Sequence, residues 1–410
     1  MITTLKVSLG NTAIGTITML PAGSVFFAFS EEYLNDANRP VLSQSFLTET
    51  GEVIPESKAT RVQLPAFFSN LLPEGHMRQY LAERGGIKST NEFRLIELLG
   101  EDLPGAVVIA SQDGNPIDAG HHIENTSDDK PFHFSLAGIQ LKFSAIAQKN
   151  GGLTIPVTGV GGNWIIKLPA QNYANVPENE FAMMQLAGSI GISVPETKLV
   201  PLDEIGGLPE MGVLIGSQVL AVKRFDRAEG GKRIHIEDFA QVFNVYPHNK
   251  YDNAHYGNIA RMVWMMTGNE GLIDFIRRLT FIILTGNGDM HLKNWSFIYE
   301  DGRTPKLSPA YDMVSTIPYI PKDGLALNLA DSKEMKAITL NHFKKLAQKA
   351  KLPEELVLQT VRDTVDATIT AWEANYKHYG LPAEILERIQ GYLREVALRN
   401  GYAGLKGNKI

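Results

Sequence analysis

Apolar and polar positions alternate at the start of the chain. Leu5-Lys6-Val7-Ser8-Leu9 shows the period of two expected of a half-buried strand, and Ile14-Gly15-Thr16-Ile17-Thr18-Met19 reads as a second short strand, with a Gly10-Asn11 turn between them. Val25-Phe26-Phe27-Ala28-Phe29 predicts a third strand. The period then lengthens. Leu64 to Leu72 and Glu74 to Ala82 predict helix broken at Pro73, and Glu92 to Leu99 predicts a short amphipathic helix with apolar positions 93, 95, 96, 98 and 99. Pro104-Gly105 stops it ahead of a Val107-Val108-Ile109 strand. Residues 112 to 130, rich in Asp, Gly, Asn and His, predict a linker or exposed loop. A second β-rich unit follows. It has strands within Phe132 to Ala147, Leu153 to Val157 and Asn163 to Leu168, a helix from Asn179 to Ile190, and strands at Leu199-Val200-Pro201 and Val219 to Val222. From about Ile236 the pattern turns helical, over 237–245, 254–267, 270–285, 340–350, 353–376 and 382–400. Short β pieces near 295–299 and 325–329 interrupt it. The expected units are residues 1–111, 131–225 and 226–410. β-rich followed by helical sequence implies segregated α+β lobes rather than alternating βαβ units, with a ligand cleft between them.

Composition narrows the field. The 410 residues suffice for two or three domains, and 44% hydrophobic with 20% charged residues is ordinary for a soluble globular protein. A net charge of −6 argues against broad nonspecific nucleic-acid binding, leaving room for a local basic patch. The chain has no cysteine, which removes disulfides, thiolate zinc sites and thiol nucleophiles. Met1 to Gly10 lacks a basic-then-apolar leader pattern, and no apolar run approaches the roughly 18 residues of a membrane helix. A cytoplasmic protein is expected.

The candidate chemistry centres on Gly286-Asn287-Gly288-Asp289-Met290-His291-Leu292-Lys293-Asn294. Asp289 and Asn294 have the Asp-x-x-x-x-Asn spacing of a phosphotransferase loop, in which the Asp accepts the acceptor hydroxyl's proton and the Asn, with a later Asp, holds Mg²⁺ against nucleotide phosphates. Asp312 lies just past an Asp301-Gly302 hairpin signal and can be the later Asp. Such oxygen donors suit a hard cation. His291 and Lys293, in the same loop, could touch the transferring phosphate or face solvent. Lys167, inside the apolar Trp164-Ile165-Ile166-Lys167-Leu168, either reaches solvent from an edge strand or contacts a nucleotide phosphate, with Glu178 or Glu180 as partner. Ser135-Leu136-Ala137-Gly138-Ile139-Gln140-Leu141-Lys142 could present backbone N–H groups to phosphates, although its single glycine fits neither G-x-G-x-x-G nor a Walker A loop. Lys223-Arg224-Phe225-Asp226-Arg227 is either a solvated charge run at a junction or a hinge whose backbone meets an adenine edge.

In this order, these segments resemble the HipA family of toxin serine/threonine kinases. Phe67 to Gly75 and Leu99-Gly100-Glu101-Asp102 through Gly105-Ala106 look like its N-terminal subdomain. Ser135 to Lys142, Ile166 to Pro169, Asn179-Glu180, Val194-Pro195, Lys223 to Arg227, Gly288 to Asn294 and Leu307 to Asp312 match along the rest of the chain. The resemblance implies an α+β, protein-kinase-like two-lobe fold, with a β-rich N-lobe, an all-helical C-lobe and an extra N-terminal α/β subdomain. It implies ATP with Mg²⁺, Asp289 as catalytic base, and Asn294 and Asp312 as metal ligands. Ala137, Gly138, Ile139, Gln140, Leu141 and Lys142 would line the phosphates, Lys167 would contact them, and Lys223, Arg224 and Phe225 would form the adenine hinge. His291, Lys293 and Tyr311 fall at positions near the nucleotide. Ser135 falls at an autophosphorylation position, where a phosphate dianion would repel ATP. The implied partners are a HipB-like helix-turn-helix antitoxin, through which alone DNA would be contacted, and a translation protein such as an aminoacyl-tRNA synthetase as substrate. No membrane is implied. Leu141 and Gly288 depart from the family pattern without removing a reactive group. The competing readings are a catalytically weak co-repressor that binds the antitoxin and a small-molecule kinase.

Overall fold

The computed structural model describes residues 2–111, 142–147, 153–154, 162–208, 214–396 and 398–399. Its first sheet follows the alternation at the N-terminus. β1 (Thr3–Leu9), β2 (Thr12–Met19) and β3 (Ser24–Phe29) form an antiparallel meander. β4 (Thr60–Arg61) adds to β3, and β5 (Val107–Ser111) returns alongside β1, giving the order β4-β3-β2-β1-β5. Leu5, Val7, Ile14, Ile17 and Phe27 face inward and are fully buried. Phe27, Phe46, Phe67 and Phe68 close the core beneath them, largely edge-on, an arrangement aromatic quadrupoles favour. The Glu92–Leu99 helix is capped by the Asn91 side chain and covers the sheet.

The second sheet has the order β10-β7-β6-β8-β11-β9, from β6 (Lys142–Ala147), β7 (Leu153–Thr154), β8 (Trp164–Lys167), β9 (Thr197–Pro201), β10 (Ile205–Gly206) and β11 (Gln218–Lys223). The Val176–Ser189 helix lies against it. β8 is therefore an interior strand, and the edge-strand reading of Lys167 does not hold.

The third lobe is built on the Tyr256–Thr285 helix, interrupted at Gly268, which packs against the Glu354–Asn375 and Leu340–Ala350 helices. The sequence pattern reads this element as two helices, 254–267 and 270–285, because the glycine breaks the periodicity. The lobe also carries a small antiparallel sheet of β12 (His235–Asp238), β13 (Ser296–Tyr299) and β14 (Lys306–Leu307). Two expectations are corrected here. Residues 235–238 are a strand, with helix only at Phe239–Val242. Residues 325–329 are not a strand; Leu325, Ala326, Leu327 and Leu329 are buried in the helical core, and the segment makes one isolated bridge, Leu329 to Ser332.

The N-terminal domain docks on this lobe through polar backbone contacts. Val41 N–H donates to the Gly302 carbonyl at 2.8 Å, and Asn70 Nδ2 donates to the Val245 carbonyl at 2.8 Å. Gln44 N–H donates to the buried Glu237 carboxylate at 3.1 Å. Residues 41–44 and Asn70 thus supply this seam.

Candidate active site

The catalytic-loop candidate is set by the end of the long helix. Gly286 takes the left-handed conformation at the helix C-terminus (φ 71°), and Asn287 N–H donates back to the Ile282 carbonyl at 2.9 Å. Asn287, buried, then holds two segments at once. Its Oδ1 accepts the Asp289 N–H at 3.0 Å, and its Nδ2 donates to the Asp312 carbonyl at 3.2 Å. The Asp289 carbonyl accepts from His291 N–H at 2.8 Å and from Asn294 Nδ2 at 2.9 Å. Asp289, Asn294 and Asp312 are therefore tied to one another through the backbone. Because its nitrogen is committed to the Asp289 carbonyl, the Asn294 amide turns its oxygen away from that carbonyl.

Gly288 has a steric reason. A Cβ there would stand 2.1 Å from the Asp323 carboxylate and 2.6 Å from the Gly324 carbonyl. Its N–H donates to Thr316 Oγ1 at 2.9 Å. No side chain fits at this position.

Asp312 comes from the irregular segment that follows β14. Its backbone is left-handed (φ 55°), a conformation Asp tolerates better than most residues. Asn179 fixes the same segment from the 176–189 helix, donating to the Ser315 carbonyl at 2.9 Å and accepting the Ser315 N–H at 3.1 Å. The next residue, Glu180, and Asp312 both accept from the Lys167 ammonium. Lys142 Nζ reaches the other Asp312 oxygen at 2.8 Å. Lys142 and Lys167 are direct cross-strand partners in the β6–β8 pair. Two like charges opposite each other repel, so this pair of strands demands an anion, and Asp312 supplies it. Burial works against ionising Asp312, but Lys142 and Lys167 outweigh it and hold the carboxyl well below the usual range. Burial likewise opposes charge on Lys167, and Asp312 and Glu180 overcome it, keeping the lysine protonated. Burial pushes the Glu180 carboxyl up against the pull of Lys167. Glu180, not Glu178, is the partner.

Asp289 is exposed, yet the protein packed around it desolvates its carboxyl and raises it above the ordinary range; a hydrogen bond from Tyr251 opposes the rise, and the charge of Asp312 adds to it. Tyr251 Oη donates to Asp289 Oδ1 at 2.6 Å. His291 is buried and pushed down to about 3, first by burial and then by Lys250, so it is a neutral imidazole.

The remaining candidates divide. Tyr311 Oη donates to the Lys293 carbonyl at 2.9 Å, and its ring lies 5.8 Å from that of Phe225. Lys293 points elsewhere: its ammonium donates to the Asn70 carbonyl at 2.8 Å and pairs with Glu74 at 3.1 Å, so it braces the loop against the N-terminal domain. Arg224 is buried in a network with Asp226 and Asp102, which overturns the solvated-run reading. Its side chain is committed there, and the Lys223 and Arg224 N–H groups already donate to Glu196 and Asn163 carbonyls at 2.9 Å. The Lys223 side chain is exposed and pairs with Glu196 at 3.0 Å. Ser135 and residues 137–141 lie outside the described residues. Tyr251, Asn287 and Glu74 were missed by the sequence reading. Only Asn287, inside the loop motif, carried a local signal.

Among the described residues no cluster of three or more His, Asp or Glu side chains forms a metal cage, and no helix is long and apolar enough to cross a membrane.

Known proteins resemble this chain in both sequence and fold. Residues 5–110 match the HipA N-terminal domain, and residues 134–372 match the HipA-like C-terminal domain. A provisionally named kinase of Sinorhizobium fredii, Y4dM, is 48% identical over 98% of this chain and 99% of its own length. The serine/threonine-protein kinase toxin HipA of Shewanella oneidensis is 27% identical, covering 77% of this chain and 76% of its own. The fold matches a solved complex of Shewanella oneidensis MR-1 HipA, HipB and operator DNA, with a TM-score of 0.75 at 22% identity, over 98% of this chain and 97% of that one. Two lobes of kinase-like α+β architecture, joined to a third N-terminal unit and matched by both domain models, make this chain a member of the HipA family.

Proposed function

We propose that the chain is an ATP- and Mg²⁺-dependent serine/threonine protein kinase. The observation that carries the reading is the opposed pair Lys142 and Lys167 gathered on Asp312, beside a loop that presents Asp289 and Asn294. Two cations facing a cleft suit nucleotide phosphates, and the Lys167–Glu180 pair has the form of the ion pair kinases use to hold their phosphate lysine. Asn294 and Asp312 would hold Mg²⁺. Two protein oxygens rather than a cage suit this ion, which keeps several waters and takes phosphate oxygens. The bound ion would neutralise charge on the phosphates. Asp289 accepts the proton of the acceptor hydroxyl, and its raised carboxyl brings it nearer the working range of a base. Phe225 and Tyr311 line the adenine side.

The family supports a toxin role, with a HipB-like helix-turn-helix antitoxin as partner. The solved relative is a complex with HipB and operator DNA. A translation protein such as an aminoacyl-tRNA synthetase is the proposed substrate, with autophosphorylation at Ser135 as the off-switch. The test is incubation of the full chain with labelled ATP and Mg²⁺. Label on Ser135 in the wild type, and none with Asp289→Asn at retained ATP affinity, is the expected outcome. Equal labelling in the two proteins would rule out Asp289 as base.

A further inference from the structure

We propose that Tyr251 is an acceptor-site gate: its hydroxyl holds Oδ1 of Asp289, the oxygen a substrate hydroxyl would take, so an acceptor engages that oxygen by displacing it. This inference rests on the phosphotransfer reading of the site.

The contact is the one a substrate would make. A base must stand about 2.6–3.2 Å from the hydroxyl it deprotonates, and Tyr251 Oη already donates to Asp289 Oδ1 at 2.6 Å. Asp289 does not need the phenol for its own placement. Its backbone is fixed by Asn287, His291 and Asn294. The bond therefore fits an occupant of the base better than a brace.

The gate is also built to move. Tyr251 is 40% exposed, and the Asp289 residue that it touches is exposed as well. It lies in a tight turn after Pro247–Asn249, where Asp252 N–H donates to the Asn249 carbonyl at 2.9 Å and Asn253 is left-handed (φ 58°). Residues 251–253 are all exposed. The base of the turn, by contrast, is anchored. The Lys250 carbonyl accepts Leu292 N–H from the catalytic loop at 3.2 Å, and its ammonium pairs with Glu74 of the N-terminal domain at 2.8 Å. The ring rests edge-on against neutral His291, at 4.9 Å between centroids. Rotation of one exposed side chain thus opens the base without disturbing the loop that carries it. A small acceptor such as water has only that one bond with which to compete. A protein acceptor can draw on further contacts, so the gate selects against hydrolysis of ATP.

The experiment measures phosphate release from Mg-ATP by the full chain without a protein acceptor, together with ATP affinity by titration, for wild type, Tyr251→Phe and Tyr251→Ala. Loss of a hydrogen bond to a charged group should raise the hydrolysis rate by about ten-fold or more in both variants. ATP affinity should stay unchanged, and adding Asp289→Asn should abolish the gain. Variants that bind ATP but hydrolyse it no faster, or more slowly, would overturn the gate and leave the phosphotransfer reading standing. If no protein of the set, wild type included, binds or hydrolyses ATP, both the phosphotransfer reading and the gate fall.

Discussion

Two buried ion clusters sit within this chain, and they use charge for opposite ends. At the junction, Arg224 pairs with Asp226 at 2.8 Å, and Arg227 bridges Asp226 at 2.8 Å and Asp102 at 2.7 Å. The backbone completes it: Gly105 N–H donates to Asp226 at 2.8 Å, and Arg227 donates to the Gly105 and Leu103 carbonyls at 2.8 and 2.9 Å. Every charge there has fixed, dry partners, and burial of Asp226 is outweighed by Arg224 and then Arg227, so its carboxyl lies below the usual range. In the cleft, Lys167 and Glu180 are equally buried, but Asp312 is 19% exposed and Lys142 is 46% exposed. The first cluster is closed and joins domains. The second opens on one side and can exchange its partners for a ligand's. The difference lies in access, since both clusters contain the same kinds of group.

That comparison can be broken by substituting one group in each. Lys167→Met leaves two carboxylates crowded beside the site and removes a phosphate contact. Phosphoryl transfer should fall roughly 100-fold or more, read as kcat/KM for autophosphorylation. Asp226→Ala leaves two buried guanidiniums to share Asp102 alone and should cost about 3–5 kcal/mol in denaturant unfolding, while transfer per folded molecule falls less than about ten-fold. Reversed outcomes would show that the two clusters had been assigned the wrong way round.

A third buried group sharpens the contrast through pH. Burial pushes the Glu237 carboxyl up to about 7 despite donors from Ser43, Tyr299 and Gln44. The folded state therefore binds this proton more tightly than the unfolded chain, and its contribution to stability is lost as pH rises through that range. Buried neutral His235, pushed down to about 4 by burial, acts in the opposite direction, so the whole-protein slope is a mixture. Comparison with Glu237→Gln isolates the carboxyl. From pH 5 to 8 the wild type should lose roughly 2–3 kcal/mol relative to the variant. Parallel stability curves would place the proton elsewhere. The smallest expected effect is steric. Gly288→Ala forces its Cβ onto Asp323, which should cost about 1–3 kcal/mol and slow transfer by shifting the neighbouring Asp289. A neutral thermal melt would contradict the contact.

Much of the fold was legible where burial follows hydropathy. The alternation of Leu5, Val7 and Leu9 reads directly as a strand, and the Glu92–Leu99 stripe reads as a helix, whereas Ile14 and Ile17, three apart, are both buried because a bulge at Ile14 shifts the β1–β2 register. β12 was not legible because its inward residues are His235 and Glu237, both buried and polar. Long-range partners, Leu42 and Gln44 in the N-terminal domain and Tyr299 on β13, make that burial tolerable. The same limit applies at the site. Asp289, Asn294 and Asp312 carried a spacing signal. The charge run at Arg224 looked solvated because Asp102, its partner, is 122 residues away. Tyr251 lies in an aperiodic loop, 38 residues from Asp289, and nothing local marks it.

The account depends on Asp312 and Asn294 joining a divalent ion to a nucleotide in the open cluster. Calorimetric titration of ATP into the wild type and Asp312→Asn, each with and without Mg²⁺, tests this most directly. Affinity that rises with Mg²⁺ in the wild type and loses that dependence in Asp312→Asn is the predicted result. The same Mg²⁺ dependence in both proteins, or none in either, would contradict it.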